Sequence, residues 1–327
     1  MSLTVEDQQA LTQWGIHRVE FSQRALGGVS NRVFLLKTEH GNFAFRAYRS
    51  MPRERIQWEH RIIQHAAAVG VPTPLPIPTH TGAFCLDWKG HHHALFPWLS
   101  DDQIEREEIS SPQARAMGLF LGDIERRFAN NPLSGAPCQR LVALEPGYLD
   151  KATAEVEELL SVIRALPHPG EHENLALSYL QGQRQWLRSL SRDLPSGPEY
   201  ELRLMHGDFQ NSNLFFSAGS VSAIIDWERA RLAPTGWDMV RALHLMFELD
   251  PVLCRAFLEG YQSVASVDAS ALASTASLYG EEQDACIWLL RVIYLEGNDR
   301  AKRFLKHGTY RPFAEKWREL LPHLPLT

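Results

Sequence analysis

Between Leu204 and Asp238 the sequence alternates short apolar runs with tight polar turns, and no other stretch restricts the fold as much. It reads LMHGDFQNSNLFF (204–216), then SVSAIIDWERA (220–230), then PTGWDMVRAL (234–243). The apolar runs Leu202–Met205 and Leu214–Phe216 bracket an acid-bearing turn, and the run Val221–Ile225 ends on a single carboxylate, Asp226. This pattern predicts a polar loop held between buried strands.

Such a loop carries the few groups that phosphoryl transfer asks of a protein: a carboxylate to orient the attacking hydroxyl, and oxygen ligands that hold Mg²⁺ against nucleotide phosphates. Asp208, at the loop tip, is the candidate base and also touches the acceptor. Asn213, five residues on, offers an amide oxygen to a metal, and Asp226 a carboxylate to the same ion. Mg²⁺ keeps several waters and commonly takes only one or two protein carboxylates, so this donor set suffices. Taken singly, HGD and Asn213 are also ordinary turn formers. Both motifs, in this order and on strand-like flanks, favour the site.

HGDFQNSN followed by IIDWE resembles the paired motifs of the aminoglycoside phosphotransferase family, which includes choline kinases and type II homoserine kinases and has a protein-kinase-like fold. The resemblance implies that Asp208 is the catalytic Asp, Asn213 the second-metal Asn and Asp226 the principal metal ligand. It further implies that His206 anchors the loop and that Asp238 is a structural carboxylate bonded to the loop backbone. The expected cofactors are ATP and Mg²⁺.

The 327 residues are enough for about two domains with a core each. Composition is globular, and a net charge of −6 gives no general electrostatic reason to bind nucleic acid or an anionic membrane. Cys85, Cys138, Cys254 and Cys286 form neither a disulfide framework nor a zinc spacing. No signal peptide and no apolar run of membrane-spanning length is found. A cytoplasmic, soluble protein is expected, with no membrane or nucleic-acid partner.

Residues 4–15 read as a short helix with Thr4 and Asp7 as start signals and Gly15 as stop. Residues 19–49 read as antiparallel strands, with turns at Gly27-Gly28 and His40-Gly41-Asn42. A Gly-Gly turn is commonly a plain hairpin; the resemblance makes Gly27, Gly28, Ser30 and Asn31 a flap over the nucleotide. It also puts Arg46 where most kinases carry a phosphate-binding Lys, and Glu59, on the helix 53–69, as its partner. From the residues alone, Arg46 also fits a solvent-facing strand arginine, and Glu59 reads better as an exposed helix glutamate. His91, His92 and His93 alternate faces on a strand and form no metal site by themselves. Phe96-Pro97-Trp98-Leu99 resembles the hinge between lobes, with Phe96 and Trp98 beside the adenine.

The expected architecture is therefore α+β and bilobal: residues 1–99 a small antiparallel-sheet lobe for the nucleotide, and residues 100–327 a larger, mainly helical lobe for catalysis and the acceptor. Helices are expected over 111–128, 143–166, 172–190, 238–248, 251–265, 285–308 and 313–324. The short interval from 226 to 240 leaves no room for the long activation segment of eukaryotic protein kinases, which favours a small-molecule acceptor; an atypical protein kinase of this fold, an aminoglycoside phosphotransferase and a nucleotide-binding protein without turnover stay open as alternatives, as does GTP as donor. Residues 240–327 hold eleven Asp and Glu against ten Lys and Arg, a balance that does not suit a polycationic aminoglycoside. A small hydroxylated amino acid or amino alcohol is expected instead, with Trp288 and Arg291 as candidate binders on one helix face and Glu296 well off that face. Equally, Trp288 fits a core position and Arg291 a structural ion pair.

Overall fold

The computed structural model describes residues 3–25, 31–48, 51–190, 200–305 and 309–326. Gly27, Gly28 and Ser30 lie outside the described residues, so only Asn31 of the expected flap can be placed.

The chain opens with α1 (Val5–Leu11), whose Thr4 side chain accepts from Asp7 N while the Asp7 carboxylate accepts from Thr4 N. That reciprocal cap satisfies two amides which otherwise lack partners at a helix start. Strands β1 (Val19–Arg24), β2 (Arg32–Thr38) and β3 (Gly41–Tyr48) follow, then α2 (Arg53–Ala68), β4 (Leu86–Trp88) and β5 (His91–Pro97). They form an antiparallel sheet in the order β1-β2-β3-β5-β4. Its inner face closes on α1 through Leu11, Phe34, Leu36, Phe45 and Leu95, all essentially inaccessible.

Helix α2 bridges two cores: Ile56 packs on Tyr48 and Ala94 of the sheet. Trp58, Ile62, Ile63 and Ala66 pack with the large apolar cluster of the C-terminal region, and the Trp58 indole N–H donates to Ala230 O at 2.8 Å. That cluster is built on α3 (Ser111–Asn130) and α7 (Pro251–Gln262). The two lie flush because Gly118 and Gly260 face backbone carbonyls that any Cβ would overlap.

Between them in sequence come α4 (Tyr148–Arg164) and α5 (Glu171–Ser189), a hairpin with its own apolar cluster. Two small ladders carry the organising stretch: β6 (Leu202–Met205) with β9 (Arg231–Pro234), and β7 (Leu214–Ser217) with β8 (Ser220–Ile224). Helix α6 (Trp237–Arg241) follows and runs into one π-helical turn over Ala242–Met246. The chain ends with α8 (Ala269–Asp284), α9 (Trp288–Tyr294) and α10 (Phe313–Leu320). Among the described residues, no helix is long and apolar enough to cross a membrane.

Two expectations need correction. The helix expected over 285–308 is α9 alone, followed by a 3₁₀ segment at Asp299–Phe304; Gly297 adopts a positive φ of 69° between them and stops α9. Helix α8 was not expected. Its sequence, ASALASTASLYGEEQD, has few large apolar residues to mark a face, yet Asp268 caps its start by accepting from Ser270 N and Ala271 N.

Candidate active site

The 206–213 loop is positioned from three sides. Below, Asp238 on α6 accepts Gly207 N on both carboxylate oxygens at 3.1 Å. At the side, His206 Nδ1 accepts from Asp208 N at 3.2 Å, which leaves Nε2 to carry the proton and donate to Ile225 O at 3.0 Å. Burial holds His206 below its usual pKa, against the pull of Asp238 and Asp208, so the ring stays neutral. Burial also raises the Asp238 pKa, opposed by His206 and by the Gly207 amide. From the segment after β5, Asn211 Nδ2 donates to Ile104 O and Gln103 Nε2 to Ser212 O, while Asp102 bridges Phe216. This acidic segment thus straps the loop.

Gly207 is required by this arrangement. Its φ is +79°, and a Cβ there would overlap the Arg229 carbonyl oxygen.

At the loop tip, Asp208 Oδ2 accepts from Gln210 Nε2 at 3.1 Å and faces Asn213 Nδ2 at 3.4 Å. Asn213 Nδ2 also donates to Asp208 O at 2.9 Å, so its Oδ1 is the atom turned away from the loop. Ile225 N donates to Asn213 O at 3.0 Å, which brings the end of β8 beside Asn213. Asp226 follows in a left-handed conformation, φ 68° and ψ 62°, a backbone state uncommon for a residue with a Cβ. Asp208, Asn213 and Asp226 are therefore assembled around one short loop and one strand end, as their spacing suggested.

Arg46 is not solvent-facing. From β3 its guanidinium donates to Glu59 at 2.6 Å, to Glu228 at 3.0 Å and to Asp226 at 3.3 Å, with the side chain 11% exposed and Glu59 on α2 fully buried. The exposed readings of Arg46 and Glu59 are thereby corrected. Burial opposes the charge on Arg46, and the carboxylates of Glu59, Asp226 and Glu228 outweigh it, holding its pKa above the ordinary value. Glu59 is pushed up by burial and drawn back by Arg46. Asn31 Nδ2 donates to Glu228 Oε2 at 3.0 Å, closing the cluster from the sheet.

Phe96, on β5, meets the His60 ring edge-on, and Trp98 N donates to Asn42 O at 3.3 Å, which extends the β3–β5 ladder by one bond beyond Pro97. Trp288 and Arg291 are elsewhere. Trp288 is 61% exposed rather than core, and Arg291 pairs with Glu296 at 3.8 Å. Glu296 reaches Arg291 because α9 ends at Tyr294 and Glu296 N turns back onto Arg291 O, so the helical spacing that would have separated them does not apply. No described contact ties either residue to the Asp208 loop.

Two residues were passed over in the sequence. Glu228 lies two after Asp226 and turns to the same cluster. Arg241, on α6, donates to Asp208 Oδ1 at 2.5 Å. The signal for Arg241 was its place three residues after Asp238, one helical turn along the same face.

A five-stranded antiparallel sheet over a mainly helical lobe, with an HGD loop facing an Asp-ended strand, defines a phosphotransferase with a protein-kinase-like fold, and the protein is a kinase. Residues 22–274 match the model of the phosphotransferase enzyme family, and the chain belongs to that family. It is 25% identical over 284 residues to a homoserine kinase of Rhizobium rhizogenes, covering 82% of this chain and 79% of that one. It is 27% identical over 259 residues to a homoserine kinase of Allorhizobium ampelinum, covering 76% and 72%. Among solved structures, an aminoglycoside phosphotransferase from Alicyclobacillus acidocaldarius superposes with a TM-score of 0.65 at 15% identity, covering 98% of this chain and 96% of that one. The amicoumacin kinase hAmiN, in complex with AMP-PNP and Ca²⁺, does so with a TM-score of 0.53 at 14% identity, covering 94% and 90%.

Proposed function

We propose that the protein transfers the γ-phosphoryl group of ATP to a hydroxyl of a small amino acid or amino alcohol, with Asp208 as the base. The acceptor oxygen bonds to the γ-phosphorus, the bond to the bridging oxygen of ADP breaks, and the hydroxyl proton passes to Asp208. Asn213 Oδ1 and Asp226 fit a hard cation with phosphate and water completing its shell, and Glu228 adds a third oxygen donor nearby. Bound Mg²⁺ would neutralise charge on the transferring phosphates.

In this reading, Arg46 releases Asp226 and Glu228 to the metal and turns its guanidinium on the phosphates while Glu59 keeps hold of it. Asn31 belongs to the flap over the nucleotide, and Phe96 and Trp98 flank the adenine. His206 and Asp238 fix the loop.

The observation that carries the reading is the joint placement of Asp208, Asn213 and Asp226: Asn213 Nδ2 donates to Asp208 O, and Ile225 N, from the residue before Asp226, donates to Asn213 O. The homoserine kinases among the relatives support the acceptor class. An ADP-release screen over amino acids, amino alcohols, sugars, aminoglycosides and a generic protein substrate tests it. Turnover confined to aminoglycosides or to protein would overturn the acceptor class.

A further inference from the structure

We infer that Arg241 is the specificity-determining residue for the acceptor, receiving a carboxylate that lies close to the reacting hydroxyl. The inference rests on the kinase reading above and names its substrate class as hydroxy acids, in particular hydroxy amino acids, in preference to amino alcohols.

Helix α6 sets up the geometry. Asp238 spends its carboxylate on the Gly207 amide, and one turn later the same helix aims Arg241 at the residue after that glycine. A guanidinium offers five N–H donors in a planar fork. Among the described residues Arg241 uses one on Asp208 Oδ1 and makes one long contact, 3.5 Å, to Phe209 O. The remaining donors lie beside the carboxylate that any acceptor hydroxyl must approach. Whatever is bonded next to that hydroxyl arrives within their reach.

The surroundings favour an anion there. The side chains of Arg241 and Asp208 are 12% and 14% exposed, so the pair is largely removed from water and a further charge-assisted bond gains from the lower local dielectric. The other groups on the Asp208 carboxylate are the amides of Gln210 and Asn213, both donors. An ammonium group at this end would meet N–H donors and a carboxylate, Asp208, whose oxygens are already taken by Arg241, Gln210 and Asn213. A carboxylate would meet a fork matched to its two oxygens. Arg291, the arginine that the sequence offered for this task, is half exposed and turned to Glu296.

The experiment uses two probes of the same carbon chain, L-homoserine and L-homoserinol, which differ in having a carboxylate or a hydroxymethyl group. Steady-state ADP release is measured for the wild type, Arg241→Lys and Arg241→Met, and binding of each probe is measured by calorimetry with MgADP present. The wild type should bind homoserine more tightly than homoserinol. Arg241→Met should raise the KM and Kd for homoserine by about 10- to 100-fold, the size of one lost bond to a charged group, and shift those for homoserinol less than about 3-fold. Arg241→Lys should recover part of the homoserine binding, which a misfolded site would not do. A fall in kcat shared by both probes reports the hold of Arg241 on Asp208 and leaves the selectivity in KM unaffected.

Equal binding of the two probes by the wild type, equal losses in Arg241→Met, or no binding of either overturns the assignment. Carboxylate-selective binding through Arg241 without turnover of any acceptor would sink the transfer reading and leave the anion site standing.

Discussion

Replacing Arg46 by Ala tests the cluster that joins the sheet to the rest of the site. The change strands Glu59, a fully buried carboxylate on α2, and leaves Asp226 and Glu228 facing each other without their shared cation. Removing one partner of a buried pair costs about 3–5 kcal/mol, since the other keeps its desolvation penalty. For 327 residues, at about 2.1 cal/mol/K of unfolding entropy per residue, that is a fall of roughly 4–7 °C in melting temperature. The deficit should depend on pH. Burial already raises the Glu59 pKa, and Arg46 is the main group drawing it back, so the variant's Glu59 titrates higher still. Above the ordinary value of 4.5 the unfolded chain gives up this proton while the folded variant retains it, so the variant loses stability as pH rises. The deficit should grow from pH 5 to pH 8. Calorimetry or urea unfolding of wild type, Arg46→Ala, Arg46→Lys and Arg46→Ala/Glu59→Gln at both pH values provides the measurement. Arg46→Lys should lose less, and Glu59→Gln should return most of the stability that Arg46→Ala removes. A deficit below about 1 kcal/mol at pH 8, or one of equal size at pH 5, would refute the argument.

Four further outcomes are expected. Asp208→Asn should abolish turnover while calorimetric binding of Mg-nucleotide stays within a few-fold, and turnover near the wild-type rate would remove Asp208 from its role. Asp226→Ala should weaken Mg-nucleotide binding as well, and unchanged affinity would show that the carboxylate does not hold the metal. Glu125, buried against Tyr261, is pushed up by burial to about 7, so it should cost stability as pH rises from its ordinary 4.5 towards 7. Glu125→Gln should therefore gain on the wild type by on the order of 3 kcal/mol between pH 5 and pH 8, and parallel pH profiles of the two would exclude this. Gly207→Ala should cost about 2 kcal/mol or more and depress turnover, because the positive φ and the Arg229 carbonyl leave no space for a Cβ. An alanine variant with wild-type melting and rate would show that the Arg229 segment yields.

How much of this was legible followed from how local each signal is. The loop motif and the strands beside it are contiguous, so their turn residues and apolar runs placed Asp208, Asn213 and Asp226 directly. The pairing of Arg46 with Glu59 was reached through the family pattern. Alternation along β3 could not have shown it, because burial of Arg46 depends on carboxylates about 180 residues away. Arg241 was missed because an arginine on a helix reads as solvated until the helix is known to end against the loop. Helix α8 was missed for a different reason: the small residues that erase its hydrophobic face are the ones that let it pack closely, as Gly280 does against Phe313. The end of α9 depends on one glycine in the left-handed region, a weak mark within an apolar run.

The packing of α2 decides which parts of the molecule can move as a body. Although α2 is threaded between β3 and β4, its apolar face is locked into the large core, and Pro72 just beyond it accepts from Ile224 N in β8. The sheet closes one face on α1 and meets α2 through Ile56 against Tyr48 and Ala94 and through the Tyr48 hydroxyl on His60. Helix α2 therefore ties the sheet to the large core: a sheet that moved without it would part Ile56 from Tyr48 and Ala94 and break the Tyr48–His60 and Arg46–Glu59 bonds together.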